Sequence, residues 1–240
     1  MRNPLYSLRK RLARMRAFPA LGRRDGARFV LDPANWIDNR MLAGVPYEDA
    51  QLALARRLIA ERQIDCVIDI GANFGLYTVL LGLEPGVVEQ HAFEPVRRNF
   101  NQLLGNVFCN RLDTKVTAHR LALGEAAGVV TIHIDPTSTG VSRIDLAGTV
   151  RDTSVFTQRE TVELRRLDDV LPLEGRSVYV KIDVEGGAMG VLRGMEKFLA
   201  RNSGALQIEI SPGEAGAGAL LEAHGWRAIA TQGDCFFGKD

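Results

Sequence analysis

Lys181, Asp183 and Glu185 stand two residues apart at the end of an apolar run, Val178–Val184 (VYVKIDV), and Glu209 stands near the end of another, Ala205–Ile210. A charge among Val and Ile is costly unless it is paired or used. Carboxylates gathered at one sheet edge repel, which raises the pKa of at least one and suits it to accept a proton. They are also oxygen ligands for a divalent cation. We expect Asp183 and Glu185 to act as base and substrate-orienting group, with roles that are exchangeable, and assign no metal. For Glu209, a structural role beside the Lys181 ion pair competes.

Two further acids close earlier apolar runs. Residues 67–75 read VIDIGANFG, and residues 92–95 read AFEP. Gly71 and Gly75 let the backbone bend tightly and approach a bound molecule. The helix that starts at Leu76 offers its free N–H groups to the same place. The glycine spacing is G-x-x-x-G rather than the G-x-G-x-x-G of a dinucleotide site, with Ala72, Asn73 and Phe74 inside the turn. Asp69 suits a zwitterionic, cationic ligand better than a pyrophosphate, and Glu94 is placed to grip two ribose hydroxyls. Together these features point to S-adenosyl-L-methionine.

The elements that position these residues alternate strand and helix. Strands are expected at Cys66–Ile70, Val87–Phe93, Val116–Leu123, Ser177–Val184 and Ala205–Ile210. A last strand, Trp226–Thr231, has Cys235–Phe237 as its hairpin partner. Helices are expected over Tyr47–Gln63, after the glycine turn, after Pro95 (Phe100, Leu103 and Leu104 inward), after Gly187, and over Gly213–His224. That alternation demands a doubly wound, mostly parallel α/β sheet. Strand four then neighbours strand one, and strand five neighbours strand four, so the acids share one crevice. Residues 124–176 depart from the pattern. Gly128–Ile134, Ser142–Ile144 and Thr161–Leu167 alternate like antiparallel strands, with a polar stretch at 135–160 between them. We read this as a β insertion over the C-terminal edge of the sheet.

Composition narrows the class. The chain has 240 residues, 46% of them apolar and 25% charged, with a formal charge of +1. That describes a globular domain with no global argument for nucleic acid. Cys66, Cys109 and Cys235 are odd in number and widely spaced, which favours a reduced, cytoplasmic setting. The charge is uneven: residues 1–24 hold eight basic residues and no acid, leaving 22 basic against 29 acidic residues, a formal −7. Leu5, Leu8, Leu12, Met15 and Phe18 recur at helical spacing, so this leader reads as a basic amphipathic helix. It is too short to span a bilayer and lacks a signal-peptide pattern. Packing on the domain or a second subunit, or contact with an anionic membrane, is open to it. Residues 28–46 read as loop. The division is a leader and loop over 1–46 and one domain over 47–240.

The segments VIDIGANFGLYT, AFEP, LALGEAAG, LDDV and VKIDVEGGAMGVLRGMEKFL together resemble the FkbM family of S-adenosylmethionine-dependent methyltransferases, over roughly residues 47–210. The resemblance implies a class I methyltransferase with a seven-stranded Rossmann-like sheet. It implies that Asp69, Gly71, Asn73 and Gly75 line the methionine end of the cofactor, that Glu94 holds the ribose, and that Leu121 and Ala122 lie near the adenine. It also implies methyl transfer to a hydroxyl of a sugar or natural product, so the expected partner is a small-molecule or glycan acceptor. An N-methyltransferase and a cofactor-binding partner subunit without chemistry are the alternatives. One position departs from the family: the Glu three residues after the last acid of K-I-D-x-E-G is Ala188 here.

Overall fold

The computed structural model describes residues 4–15, 19–135, 143–144, 156–211, 213–214 and 216–240. In chain order, α1 (Pro4–Arg14) precedes β1 (Ala20–Arg24), β2 (Ala27–Leu31), α2 (Trp36–Leu42) and α3 (Asp49–Glu61). The nucleotide-fold half follows: β3 (Cys66–Ile70), α4 (Leu76–Gly82), β4 (Glu89–Phe93), α5 (Arg97–Cys109) and β5 (Val116–His119). The insertion contributes β6 (Ala122–Leu123), β7 (Gly128–Ile134), β8 (Arg143–Ile144), β9 (Gln158–Arg165) and α6 (Leu167–Val170). The chain closes with β10 (Ser177–Ile182), α7 (Ala188–Arg193), α8 (Glu196–Arg201), β11 (Ser203–Ile208), α9 (Ala217–Ala223), β12 (Arg227–Gln232) and β13 (Asp234–Lys239).

The main sheet runs β12-β13-β11-β10-β3-β4-β5. β10 pairs in parallel with both β3 and β11, which places strands one, four and five side by side as the alternation requires. Only β13 runs antiparallel within it, inserted between β11 and β12 by a tight return at Gly233. Both faces are covered. Val67, Ala92, Tyr179, Ala205 and Phe236 pack with α3, α4 and α5 on one side. Cys66, Ile68, Ile70, Val178, Val180, Leu206 and Ile208 pack with α7, α8 and α9 on the other. Burial on both faces is why the central strands read as unbroken apolar runs.

Three local expectations are corrected. Residues 28–46 hold a strand and a helix rather than loop. Asp25 and Gly26 take φ of 49° and 82°, a two-residue hairpin turn, and Asn35 caps α2 by accepting a hydrogen bond from Ile37 N. An Asp-Gly pair between apolar alternations is a strong hairpin signal, and it was present in the sequence. The expected strand Val116–Leu123 is two: β5 ends at His119, which stacks on Phe93, while Ala122 and Leu123 pair with β9 in a separate sheet of order β6-β9-β7-β8. Leu104 faces solvent, because Asn99, Leu103, Asn106 and Val107 occupy the buried stripe of α5. The small sheet packs Ile132, Ile134 and Val162 on Val96 and Ala122 at the C-terminal edge of the large one. Phe18 and the stretches 136–142 and 145–155 lie outside the described residues.

Candidate active site

The glycine turn closes β3. Gly71, Asn73 and Gly75 take φ of 84°, 52° and 90°, and the N–H groups of Gly71 and Ala72 both donate to the Phe93 carbonyl at 3.0 Å. The turn is therefore stitched to the end of β4. Asp69 fastens its other side: Oδ2 accepts from Thr78 N (3.0 Å) and Thr78 Oγ1 (2.6 Å), one turn into α4. Burial raises the Asp69 pKa, opposed by the nearby Lys181 ammonium and the two Thr78 donors. Glu94 is a strut. Its Oε2 accepts from Asn73 N at 2.9 Å and its Oε1 from Val96 N at 2.8 Å. Burial pushes Glu94 up to about 7 even against these donors.

The second cluster centres on Lys181, which is 3% exposed. In the β10–β3 register Lys181 lies opposite Asp69. Its Nζ donates to Asp183 Oδ2 at 2.5 Å and sits 4.5 Å from the centroid of the Tyr77 ring. Burial disfavours the ammonium, but the carboxylates of Asp183, Glu48 and Asp69 outweigh it and hold the Lys181 pKa above its ordinary value. The same pairing, acting against burial, holds Asp183 below the usual carboxylate range. Glu209, hydrogen-bonded to Asp183, goes the other way. Burial, then the Asp183 charge and that of Glu185, raise it to about 7. The Lys181 ion pair holds Asp183 down while Glu209 beside it is raised, a separation that suits distinct acid and base roles.

Both clusters border one cavity of about 300 Å³, at the lower end of ligand-site volumes. Asp69, Gly71, Ala72, Asn73 and Phe74 line it, as do Glu94, Leu121, Ala122, Asp183, Glu185 and Glu209. Gly75 does not. It precedes α4 where a Cβ would stand 2.6 Å from Leu103 Cδ1, so its small size serves helix packing. Ala188 is also outside the wall and is fully buried in the apolar layer beneath α7.

The sequence reading missed several wall residues. Trp36, Tyr47 and Glu48 reach the cavity from the N-terminal region, and Glu48, at φ 56°, hydrogen-bonds Tyr77. Tyr77 in turn accepts from Gln207 Nε2 (2.9 Å), whose Oε1 accepts from Tyr179 OH. The only legible signal was a polar Gln inside an apolar strand. Among the described residues no histidine lines the cavity. His91 and His119 stack on each other. The ligand atoms of Cys66, Glu89 and His91 come within 4.8 Å of one another. They start β3 and β4, at the opposite end of those strands from the cavity, and Arg176 already neutralises Glu89.

A seven-stranded sheet with a glycine turn after β3, and acids at the ends of the neighbouring strands, defines a class I S-adenosylmethionine-dependent methyltransferase fold. A model of the methyltransferase FkbM domain matches residues 69–229, and the chain belongs to the FkbM methyltransferase family. It is 28% identical over 204 residues to 31-O-demethyl-FK506 methyltransferase FkbM of Streptomyces tacrolimicus, covering 73% of this chain and 78% of that protein. Methyltransferase 1 of Beauveria bassiana is 26% identical over 145 residues, 54% of this chain and 58% of that one. Among solved structures, methyltransferase FkbM from Methylobacillus flagellatus KT aligns at 16% identity with a TM-score of 0.47, covering 73% of this chain and 44% of that one.

Proposed function

We propose that this protein transfers the methyl group of S-adenosylmethionine to a hydroxyl of a sugar or natural-product small molecule. The observation that carries the reading is the placement of Asp183, ion-paired to Lys181, with Glu185 and Glu209 on the wall of the cavity that the glycine turn also lines. The residues fit the cofactor. Gly71, Ala72 and Asn73 present the glycine turn to the cavity, and the cavity-lining acid Asp69 complements a cationic sulfonium and amino end. Glu94 would hold the ribose hydroxyls, with Leu121 and Ala122 beside the adenine. When bound, S-adenosylmethionine supplies an electrophilic methyl group.

The chain's own residues do the rest. Asp183, kept ionised by Lys181, orients the acceptor hydroxyl, and the Asp183–Glu209 pair receives its proton; Glu185 positions the rest of the acceptor. Enclosure by Trp36, Tyr47 and Ile132 excludes water, which strengthens these interactions. Transfer to oxygen is supported by the similarity to the Streptomyces relative, a 31-O-demethyl-FK506 methyltransferase. The test uses labelled S-adenosylmethionine, a panel of hydroxylated and amino acceptors, and calorimetry. We expect saturable cofactor binding, transfer to oxygen, and a loss of about 10²-fold or more in turnover for Asp183→Asn at unchanged cofactor affinity. Near-normal turnover of that variant removes Asp183 from the mechanism. Binding of NAD in place of S-adenosylmethionine overturns the reading.

A further inference from the structure

An amphipathic helix normally turns its apolar stripe inward, and α1 does the reverse. Ala13 is its one buried residue. It is held to α2 through its backbone, with Asn39 Nδ2 donating to the Lys10 carbonyl at 3.0 Å. Leu8, Leu12 and Met15 are 54%, 55% and 76% exposed. The patch continues beyond the helix: Leu12 and Leu21 border the same shallow groove between α1, β1 and α2, and Leu21 is 70% exposed. Arg9, Arg11 and Arg14 project from the same helix, in a leader that contains no acid. Exposed leucines flanked by arginines are the pattern of a helix lying in a lipid interface, where apolar side chains enter the acyl boundary and cations meet anionic headgroups.

We infer that α1, with Leu21 of β1, docks this protein laterally on an anionic membrane surface. Charge selects this occupant over a second copy. A two-fold contact through this face would set the acid-free leaders of two copies against each other, whereas an anionic leaflet neutralises all of its cations at once. Among the described residues no helix is long and apolar enough to cross a membrane, so the contact lies in the plane of the interface. The docked face and the cavity are joined through α2, whose first residue, Trp36, lines that cavity.

The experiment is co-sedimentation of the full chain with phosphatidylcholine vesicles, with and without one quarter phosphatidylglycerol, in 0.1 M and 0.5 M salt. We expect at least tenfold stronger partition onto the phosphatidylglycerol vesicles, lost at high salt because the attraction is screened. Leu8→Glu/Leu12→Glu should lower that partition at least tenfold while leaving the melting temperature unchanged, since both side chains are exposed. Partition that does not depend on phosphatidylglycerol, or that the double variant leaves unchanged, overturns the inference. So does a dimer, seen by light scattering, that the double variant dissolves while vesicle binding is absent.

Discussion

Gly71 and Asp183 are locked in backbone contact: a Cβ on Gly71 would stand 1.9 Å from the Asp183 carbonyl oxygen. Asp183 N also donates to the Ile70 carbonyl at 2.9 Å. The turn that receives the cofactor in our reading and the strand end that carries the acid pair are therefore one rigid unit. Positioning of this kind is where much of the rate of a displacement reaction arises.

The first prediction concerns that contact. Gly71→Ala adds both a clash with backbone and a side chain at φ +84°, a conformation that disfavours any Cβ. We expect loss of about 2–4 kcal/mol of stability and at least tenfold weaker S-adenosylmethionine binding. Urea unfolding and calorimetry measure the two effects separately.

Lys181 is the keystone of the acid cluster. Lys181→Met keeps the volume but leaves Asp183, Glu48 and Asp69 without their shared cation. Removing one partner of a buried pair typically costs about 3–5 kcal/mol. Without the ammonium, the folded-state pKa values of Asp183 and Asp69 rise, so the variant should regain stability as the pH falls and lose it as the pH rises. Denaturant midpoints at pH 5 and pH 8 test this.

The Glu209 pKa of about 7 gives the activity profile a sign. A base must be unprotonated, so turnover should rise through pH 7 as the Asp183–Glu209 pair loses its proton. Glu209→Gln should lower turnover at least tenfold and abolish that acid limb, with cofactor affinity preserved within threefold. The pH–rate profiles of the two proteins decide it.

Asp38 offers a stability test remote from the chemistry. Its Oδ2 accepts from Asp32 N and Gln102 Nε2, its Oδ1 is buried with no hydrogen-bond partner among the described residues, and burial pushes its pKa up to about 7. A carboxyl with a raised folded pKa keeps its proton where the unfolded chain has lost it. Its contribution is therefore fully present below about pH 3.8 and declines as the pH rises to 7. Asp38→Asn keeps the two accepted bonds and should flatten the fall in stability between pH 4 and pH 7. Unfolding free energies across that range measure the slope.

Ala188→Glu introduces the residue that the family resemblance leads one to expect at this position. Ala188 is 0% exposed in an apolar layer and does not border the cavity. Burying an unpaired carboxylate there should lower the melting temperature by several degrees and bring no gain in turnover. Parallel thermal melts and transfer assays would show whether both hold.

The main sheet was legible because its central strands are buried on both faces, which leaves β3 and β10 rich in Val and Ile and bounded by glycine turns. The charged residues of the site were legible for the same reason, since Asp69, Lys181 and Asp183 are conspicuous among apolar neighbours. The division of labour among them was not. Sequence spacing placed Lys181, Asp183 and Glu185 together, but pairing to Lys181 holds Asp183 down while Glu209, from the next strand, is the acid raised to about 7. That depends on a cross-strand register and a hydrogen bond that no local pattern encodes.

By itself, then, the sequence determined the strand–helix alternation, the glycine turn with its two flanking acids, and the family those segments resemble, because each is written in contiguous residues. Tertiary structure alone decided which acid pairs with Lys181 and that Trp36, Tyr47 and Glu48 reach the cavity from the N-terminal region. Tertiary structure also decided that α1 shows its leucines to solvent. These outcomes depend on how distant segments pack and how deeply each charge is buried. Burial and through-space charge act between neighbours in space, wherever those neighbours lie along the chain.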